Sequence, residues 1–295
     1  MAITSFAIYR PTSLEDALKF LNEHGEEAKL LAGGTELIVL IRDKKIPTPK
    51  YLVDLNAIKK ELTFIEKKED GIHIGAATTL YEISQSFLHK DKRFAGFVDV
   101  FKLFGTMALR MEATIAGNIV SATQYNDYIT LLLVYDAKLR IKSMDGERIV
   151  KLEDFLIDKR KVDLKPNELI YEVIIPEPPE NSSSSFYKFD RRRLLIAGVV
   201  TGAAFLHLED NKIADVRISF DMVREKRIPA RAKKTEEFLR GKEFSEEIIV
   251  KAAEEVLPTE MERVTDWWTT AEYRMDMSKV VLKRNLLRAY KRIKG

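Results

Sequence analysis

The sequence of 295 residues contains no cysteine, and this absence excludes several kinds of chemistry at once. Without thiolates the chain can bind no iron–sulfur cluster and no cysteine-ligated zinc, and it can offer no disulfide and no thiol nucleophile. Histidine is scarce too, with four residues (His24, His73, His89 and His207) scattered without the spacing of metal ligands. We therefore expect structural or surface roles for the histidines and no metal site in this chain.

Long apolar runs and a strong charge of one sign are absent as well. No basic region followed by a long apolar run opens the chain, and no stretch reaches the length of a membrane span. The formal net charge is only +3, which gives no electrostatic footprint for nucleic acid. These absences predict a soluble, cytoplasmic protein that binds no nucleic acid and has no membrane span.

Apolar residues make up 45% of the chain, which together with its length predicts two domains with cores of their own. Prolines followed by serines over residues 177–185 predict a linker. We place one domain over residues 1–176 and the other over residues 186–295. In the second domain three predicted strands precede three predicted helices, which indicates an antiparallel sheet backed by helices.

Local signals predict where several elements begin or turn. Ser13 is the predicted N-cap of one helix, and Thr79 opens another. The pairs Asp70-Gly71 and Asp145-Gly146 predict hairpin turns, and Asp210-Asn211 predicts a turn between strands over residues 196–208 and 213–220.

Two glycine-containing stretches are the main candidates for a functional site. LLAGGTEL (residues 30–37) predicts the end of a strand, a Gly33-Gly34 turn and the start of a helix. Adjacent glycines let backbone approach a ligand closely, and N–H groups beside a helix start can bind an anion. TIAGN (residues 114–118) follows a segment, residues 105–112, that we expect to be irregular, and it offers the same chemistry. Together they predict a clamp on the pyrophosphate of one dinucleotide cofactor.

Alternatives to this clamp remain open on the sequence alone. A strand–glycine–glycine–helix junction is often only a tight turn, and neither the Walker nor the Rossmann glycine pattern is present. Asp127, nine residues after Asn118, is placed either to cap the next helix or to accept a hydrogen bond from a ribose hydroxyl. Both roles are compatible.

Several segments resemble the FAD-binding (medium) subunit of the molybdenum hydroxylases, a family that includes xanthine dehydrogenase and aerobic carbon monoxide dehydrogenase. The segments are LLAGGTELIVLIRDKKIPTPKYLVDLNAI, IGAATTLYEI and TIAGNIVSA before the predicted linker, and FYKFDRRR, RIPARAKKTEEFLRG and AEYRMDMSKVVLKRNL after it. They cover nearly the whole chain in the family's order. The resemblance implies an α+β fold: a two-subdomain FAD-binding unit of the vanillyl-alcohol-oxidase (PCMH) type, followed by a small α+β domain with an antiparallel sheet and helices.

The resemblance also assigns residues to FAD, with the two glycine stretches as pyrophosphate loops and Asp127 on the ribose side. Lys188 falls where the family places a lysine near the flavin. Phe104 falls where some members put an aromatic ring on the flavin, and Ile170 matches an apolar flavin contact. Plain core packing is the alternative for these last two. The residues implied to bind FAD are Leu30, Leu31, Ala32, Gly33, Gly34, Thr35, Glu36, Leu37, Phe104, Thr114, Ala116, Gly117, Asn118, Asp127, Ile170 and Lys188.

The chain also departs from the family pattern, and some features stay ambiguous. Ala116 stands where a glycine is usual, and Leu195 where an acidic residue is frequent. These departures leave open the branch of the family and its electron acceptor. The Arg191–Arg193 run is either a phosphate or partner contact or a solvated turn. Trp267-Trp268 is either an interface patch or core or lid packing.

In a protein of this family, a large subunit with a molybdenum–pterin centre oxidises the substrate and a small subunit with [2Fe–2S] clusters relays the electrons. The FAD of the medium subunit then passes them to NAD+, a quinone or oxygen. The resemblance therefore implies an oxidoreductase subunit with no catalytic acid–base residue of its own, in a hetero-oligomer organised as a dimer of heterotrimers. The missing cysteines fit this division of labour. A self-contained FAD-dependent reductase and a flavin-free scaffold subunit are the alternatives.

Overall fold

The structure is a computed structural model that describes residues 5–191, 197–222 and 227–295. Some features noted in the sequence lie outside these ranges. They are Arg192 and Arg193 of the arginine run, Leu195, and the predicted start of a strand at Ile196.

The first unit is a small parallel sheet with helices between its strands. Its elements are β1 (Ala7–Tyr9), α1 (Leu14–His24), β2 (Ala28–Leu31), α2 (Leu37–Arg42), β3 (Tyr51–Asp54) and α3 (Lys59–Leu62). The strands pair in the order β1-β3-β2, all parallel. Helix α1 begins where the sequence predicts, because Ser13 Oγ accepts a hydrogen bond from Asp16 N (3.1 Å) and caps the first turn. Leu18 and Leu21, at helical spacing, are buried.

The second unit is a five-stranded antiparallel sheet with a group of helices, and it contains the largest core. Its elements are β4 (Ile65–Lys68), β5 (Gly71–Gly75), α4 (Leu80–Gln85), α5 (Ala95–Leu103), α6 (Met107–Glu112), α7 (Ile115–Ser121), α8 (Asp127–Leu133), β6 (Lys138–Ser143), β7 (Gly146–Lys151), α9 (Leu152–Phe155), β8 (Leu156–Asp158), β9 (Lys161–Val162) and β10 (Leu169–Ile175). The sheet order is β4-β5-β10-β6-β7. Both hairpins predicted from Asp-Gly pairs are confirmed, with Gly71 and Gly146 at φ 137° and 131°.

The third unit is a four-stranded antiparallel sheet covered by helices. Its elements are β11 (Ser182–Phe189), β12 (Val200–Glu209), β13 (Lys212–Phe220), β14 (Ala230–Arg231), α10 (Lys233–Leu239), α11 (Glu246–Lys251) and α12 (Ala271–Lys294). The strands pair in the order β11-β12-β13-β14. The turn predicted at Asp210-Asn211 is confirmed, with both residues at positive φ. Units of mixed helices and sheets confirm the predicted α+β class.

The irregular segment predicted over residues 105–112 is instead partly helical. Gly105, at φ 39°, follows the end of α5, and Thr106 then caps α6 by accepting a hydrogen bond at Oγ1 from Leu109 N (3.1 Å). The residues of α6 (MALRME) are strong helix formers, so a single cap suffices to restart a helix after the glycine.

The linker predicted over residues 177–185 is also wrong in its second half. Residues 176–181 lack regular structure, but Ser182–Ser185 belong to β11 and are fully buried. Their hydroxyl groups bond to backbone of neighbouring elements: Ser183 Oγ donates to Lys92 O (2.7 Å) and Ser185 Oγ donates to Asn285 O (2.8 Å). Small polar side chains with partners can be buried in a strand, which a composition argument for flexibility overlooks.

Candidate functional site

The first glycine stretch lies against the backbone that comes just before the second, although the two are far apart in the sequence. Gly33 packs so closely on the backbone that precedes Thr114 that a Cβ at this position would lie 1.8 Å from Glu112 O. No side chain fits there, so the close approach explains why Gly33 must be glycine. The stretch around Thr79 supports the same junction, since Leu80 N donates to Ala113 O (2.9 Å) and Ile115 N donates to Thr78 O (3.0 Å).

The first stretch forms a turn between β2 and α2, as predicted. Gly34 has φ 66°, a left-handed conformation that favours glycine. Within the described residues, the backbone N–H groups of Gly33, Gly34 and Thr35 donate to no protein acceptor. Neighbouring contacts hold the turn, since Asn56 Nδ2 donates to Ala32 O (3.1 Å) and Glu36 pairs with Arg160 (2.6 Å). The turn therefore presents free donors on a fixed backbone, as an anion site requires.

The second stretch is not an open glycine loop but the first turn of α7. Thr114 is its N-cap and accepts a hydrogen bond at Oγ1 from Gly117 N (3.2 Å). Ile115 N and Ala116 N donate to Thr78 O and Ala76 O. The expectation of free backbone donors in this stretch is therefore wrong, because the protein itself already uses these N–H groups.

Several side-chain oxygen atoms of α7, the following turn and the start of α8 have no hydrogen-bond partner within the described residues. Asn118 is 8% exposed, and its Oδ1 is buried without a hydrogen-bond partner in the described parts of the chain. Gln124 Oε1 and Tyr128 Oη are buried without partners in the same way. Buried polar atoms normally have partners, so such a group indicates a place for a polar ligand.

Asp127 and Lys188, assigned separately by the resemblance, form a buried ion pair. Lys188 Nζ lies 2.9 Å from Asp127 Oδ2, and the two side chains are only 6% and 2% exposed. The pair joins the start of α8 to β11 across 61 residues of sequence. Burial raises the pKa of Asp127, and the lysine beside it opposes that shift. Asp127 Oδ1 is buried without a partner in the described parts, so this carboxylate still has one free acceptor.

Two further carboxylates beside this pair carry no sequence signal of their own. Asp190, two residues after Lys188, has Oδ1 buried without a partner in the described parts, and burial raises its pKa to about 6. Asp221 pairs with the buried Arg263 at 3.0 Å, and its charge helps to raise the pKa of Asp127. Only the short sequence separation between Asp190 and Lys188 could have pointed to the first of them.

Phe104 and Ile170 both lie in the large core of the second unit, 9% and 5% exposed. The Phe104 ring meets Tyr128 edge to face, with ring centroids 5.7 Å apart. Core packing therefore accounts for both residues, and a flavin contact stays a prediction for each of them.

Two negative findings concern the described residues only. Within residues 5–191, 197–222 and 227–295, no group of three or more histidine or acidic side chains could hold a metal ion. In the same ranges no helix combines the length and the apolar character that crossing a membrane requires.

Family comparisons cover both halves of the chain. A family model described as the FAD binding domain in molybdopterin dehydrogenase matches residues 4–178. A second, described as the CO dehydrogenase flavoprotein C-terminal domain, matches residues 184–289.

Individual proteins show the same likeness. The nicotinate dehydrogenase FAD-subunit of Eubacterium barkeri is 30% identical over 210 residues, which is 70% of each chain. The carbon monoxide dehydrogenase medium chain of Afipia carboxidovorans is 29% identical over 295 residues, 99% of each chain. Among solved structures, a chain of carbon monoxide dehydrogenase from Hydrogenophaga pseudoflava superposes with a TM-score of 0.91 at 26% identity, covering 99% of both chains.

Proposed function

The chain belongs to the family of FAD-binding domains of molybdopterin dehydrogenases, and from this we propose that it is the electron-transfer subunit of a molybdenum hydroxylase complex. Its cofactor is FAD, and it is an oxidoreductase subunit, as expected from the sequence. The FAD-binding α+β fold is confirmed by the match to solved carbon monoxide dehydrogenase chains.

The residues present fit this cofactor. The turn at Gly33–Thr35 offers backbone donors that no described protein group uses, which suits the negative charge of a pyrophosphate. Asn118 Oδ1 and Asp127 Oδ1 are buried acceptors without protein partners, which suits the hydroxyl and N–H groups of a ribose or a ring. Free donors at the turn and free acceptors at Asn118 and Asp127 support a ligand with both kinds of groups.

On this basis each part of the site has a role in holding the cofactor. We assign the pyrophosphate to the turn at Gly33–Thr35, and we keep Asp127 as the predicted ribose partner through its free Oδ1. The buried ammonium of Lys188 holds Asp127 in a fixed orientation, and it would supply a positive charge near the bound flavin. FAD supplies the redox chemistry, and the protein supplies binding, orientation and electrostatics.

The partners follow from what the relatives are. Relatives of this chain are named as FAD subunits and medium chains of dehydrogenases, which supports a multi-subunit complex. We propose that a large subunit holds the molybdenum cofactor and a small subunit holds the [2Fe–2S] clusters, since this chain has no cysteine to ligate them. A dimer of such heterotrimers and the choice among NAD+, a quinone and oxygen as acceptor remain proposals.

A match to the carbon monoxide dehydrogenase flavoprotein C-terminal domain weighs against the alternative of a self-contained reductase. The free donors and acceptors of the site weigh against a flavin-free scaffold.

The visible spectrum of the purified chain, before and after addition of FAD, tests the proposal. Flavin bands that persist through gel filtration, with co-purification of molybdenum- and iron-containing subunits from cells, are the expected result. A flavin-bearing chain that reduces a substrate alone, without any partner, would instead favour the self-contained reductase. A colourless chain that takes up no FAD, alone or in its complex, would overturn the proposal.

A further inference from the structure

The turn that carries Trp267 and Trp268 is the most unusual part of the surface beside the candidate site. We call residues 266–269 the tryptophan turn. The Trp267 side chain is 84% exposed, more than any other large apolar side chain in the described ranges. Core packing, one of the two readings open from the sequence, is therefore excluded for Trp267. An indole exposed at the protein surface indicates a contact with a ligand or a partner.

The tryptophan turn is rigidly held, so this exposure is not that of a loose loop. The Asp266 carboxylate accepts hydrogen bonds from Trp268 N (2.9 Å), Thr269 N (3.1 Å) and the Arg274 guanidinium (2.5 Å). Arg274 is 3% exposed and also donates to Val199 O (3.2 Å). Charge-assisted bonds to a buried arginine fix the turn before any ligand arrives, which lowers the entropic cost of binding.

A cation lies directly beside the turn. The Arg191 guanidinium lies 4.1 Å from the ring centroid of Trp268 and 5.9 Å from that of Trp267. Within the described residues Arg191 forms no ion pair with a carboxylate, in contrast to the arginines of the nearby interior such as Arg263. An arginine stacked on indole with its charge uncompensated remains available to an anion.

The turn and Arg191 also lie close to the buried ion pair. Arg191 follows Lys188 by three residues, which can span at most about 11 Å of extended chain. Val199, bonded to Arg274, follows Gly198, where a Cβ would lie 3.1 Å from Lys188 Cγ. A ligand on the turn is therefore within molecular reach of a flavin held beside Lys188.

We propose that the tryptophan turn and Arg191 form a binding site for a pyridine dinucleotide that takes electrons from the flavin. An aromatic ring of the dinucleotide stacks on Trp267, and its pyrophosphate pairs with Arg191. An uncharged quinone would use the indole but leave the cation unpaired, and oxygen would use neither. A hydride would carry two electrons and one proton from the reduced flavin to NAD+, giving NADH and oxidised flavin, and any second proton on the reduced flavin would pass to solvent. The inference rests on the proposed function and selects one of its acceptors.

The two tryptophans are the only ones in the chain, so intrinsic tryptophan fluorescence reports on this site alone. Titration of the purified chain with NADH, with and without FAD, should quench this emission saturably. Trp267→Ala and Arg191→Gln should each weaken NADH affinity about tenfold by calorimetry, which corresponds to about 1.4 kcal/mol. Arg191→Lys should retain part of the affinity, and added salt should weaken binding to the wild type more than to Arg191→Gln. Phe87→Ala, an exposed aromatic after α4, is the matched control and should bind NADH normally.

Three results would overturn the inference: no saturable quenching by NADH, equal affinity in the wild type and in both site variants, or quenching by a soluble quinone or an acidic iron–sulfur protein but not by NADH. The FAD content of the same samples is measured separately from the visible spectrum. A chain with FAD that binds no NADH refutes this site alone. A chain that binds NADH at this site but never FAD refutes the proposed function and the transfer of electrons, while the binding site itself stands.

Discussion

Removing the charge of Lys188 should destabilise the protein far more than removing the charge of an exposed lysine. Lys188→Met keeps most of the side-chain volume but leaves the Asp127 carboxylate, 2% exposed, without the ammonium that lies 2.9 Å from it. Breaking a buried ion pair on one side costs about 3–5 kcal/mol, because the remaining charge stays in a poorly solvated place. For a protein of this size, this corresponds to a fall in melting temperature on the order of 10 °C.

A double substitution separates loss of the pair from loss of packing. Lys188→Met combined with Asp127→Asn leaves no buried charge at either position, so we expect it to recover most of the stability that the single variant loses. In the single variant the Asp127 carboxylate has no cation beside it, so its pKa rises further above its value in the unfolded chain. The penalty is then full at neutral pH and shrinks as the pH falls and the carboxylate takes up a proton.

Thermal unfolding of the FAD-free protein, followed by circular dichroism at neutral and mildly acidic pH, measures these differences. Lys67→Met is the matched control, since Lys67 is 61% exposed in its pair with Glu177 and should contribute less than about 1 kcal/mol. The reasoning fails if Lys188→Met melts with the wild type, or if the double variant melts no higher than Lys188→Met.

Three smaller predictions concern the rest of the site. Gly33→Ala should strongly destabilise the fold, since its Cβ would lie 1.8 Å from a backbone oxygen. Gly117→Ala should be tolerated, because Gly117 lies in a helix and its Cβ would come within 2.8 Å of a hydroxyl only. Superimposable urea unfolding curves of the two variants would contradict this. Asn118→Ala should change the unfolding free energy of the FAD-free protein by less than about 1 kcal/mol, because Asn118 Oδ1 has no partner in the described parts. The same variant should bind FAD more weakly by calorimetry, and an unchanged affinity would remove Asn118 from the site. Burial raises the pKa of Asp190 to about 6. Asp190→Asn should therefore be more stable than the wild type above that pH, by about 1 kcal/mol after solvent screening, and equally stable below about pH 4. Parallel profiles of melting temperature against pH would refute this.

Local chemistry made much of the fold predictable. Ser13 and Thr79 each cap a helix that the sequence places within a residue or two, and Thr79 does so in a capping box with Glu82. These signals are readable because every atom involved lies within four residues. The buried serines of β11 are the counter-example, because their partners are carbonyls of residues about ninety to one hundred positions away. Composition alone assigns such residues to solvent.

The candidate site shows the same difference between local signals, which the sequence reveals, and long-range contacts, which it does not. The family resemblance singled out Gly33, Asp127 and Lys188 one by one, but neither the contact of Gly33 with Glu112 nor the ion pair is readable from the sequence. Both depend on which elements are packed together, and the ion pair also requires the end of β11 to reach the start of α8. The cap at Thr114 shows the opposite error, since a glycine pattern there suggested free donors that a local hydrogen bond already occupies.

The serine-rich strand β11 makes the middle of this polypeptide a poor place to cut. Extended serine runs are the segments that proteases and cloning strategies usually favour, but here the scissile bonds would lie in the fully buried part of an edge strand that pairs with β12 and packs against α5 and α12. Limited proteolysis should therefore spare Ser182–Ser185 and cut first in segments that are exposed. A version of the protein expressed as two pieces, or carrying an inserted tag, has its natural junction in residues 176–181, where the backbone forms no ladder. A junction four residues later would separate Lys188 from the serine hydroxyl contacts that hold its strand in place.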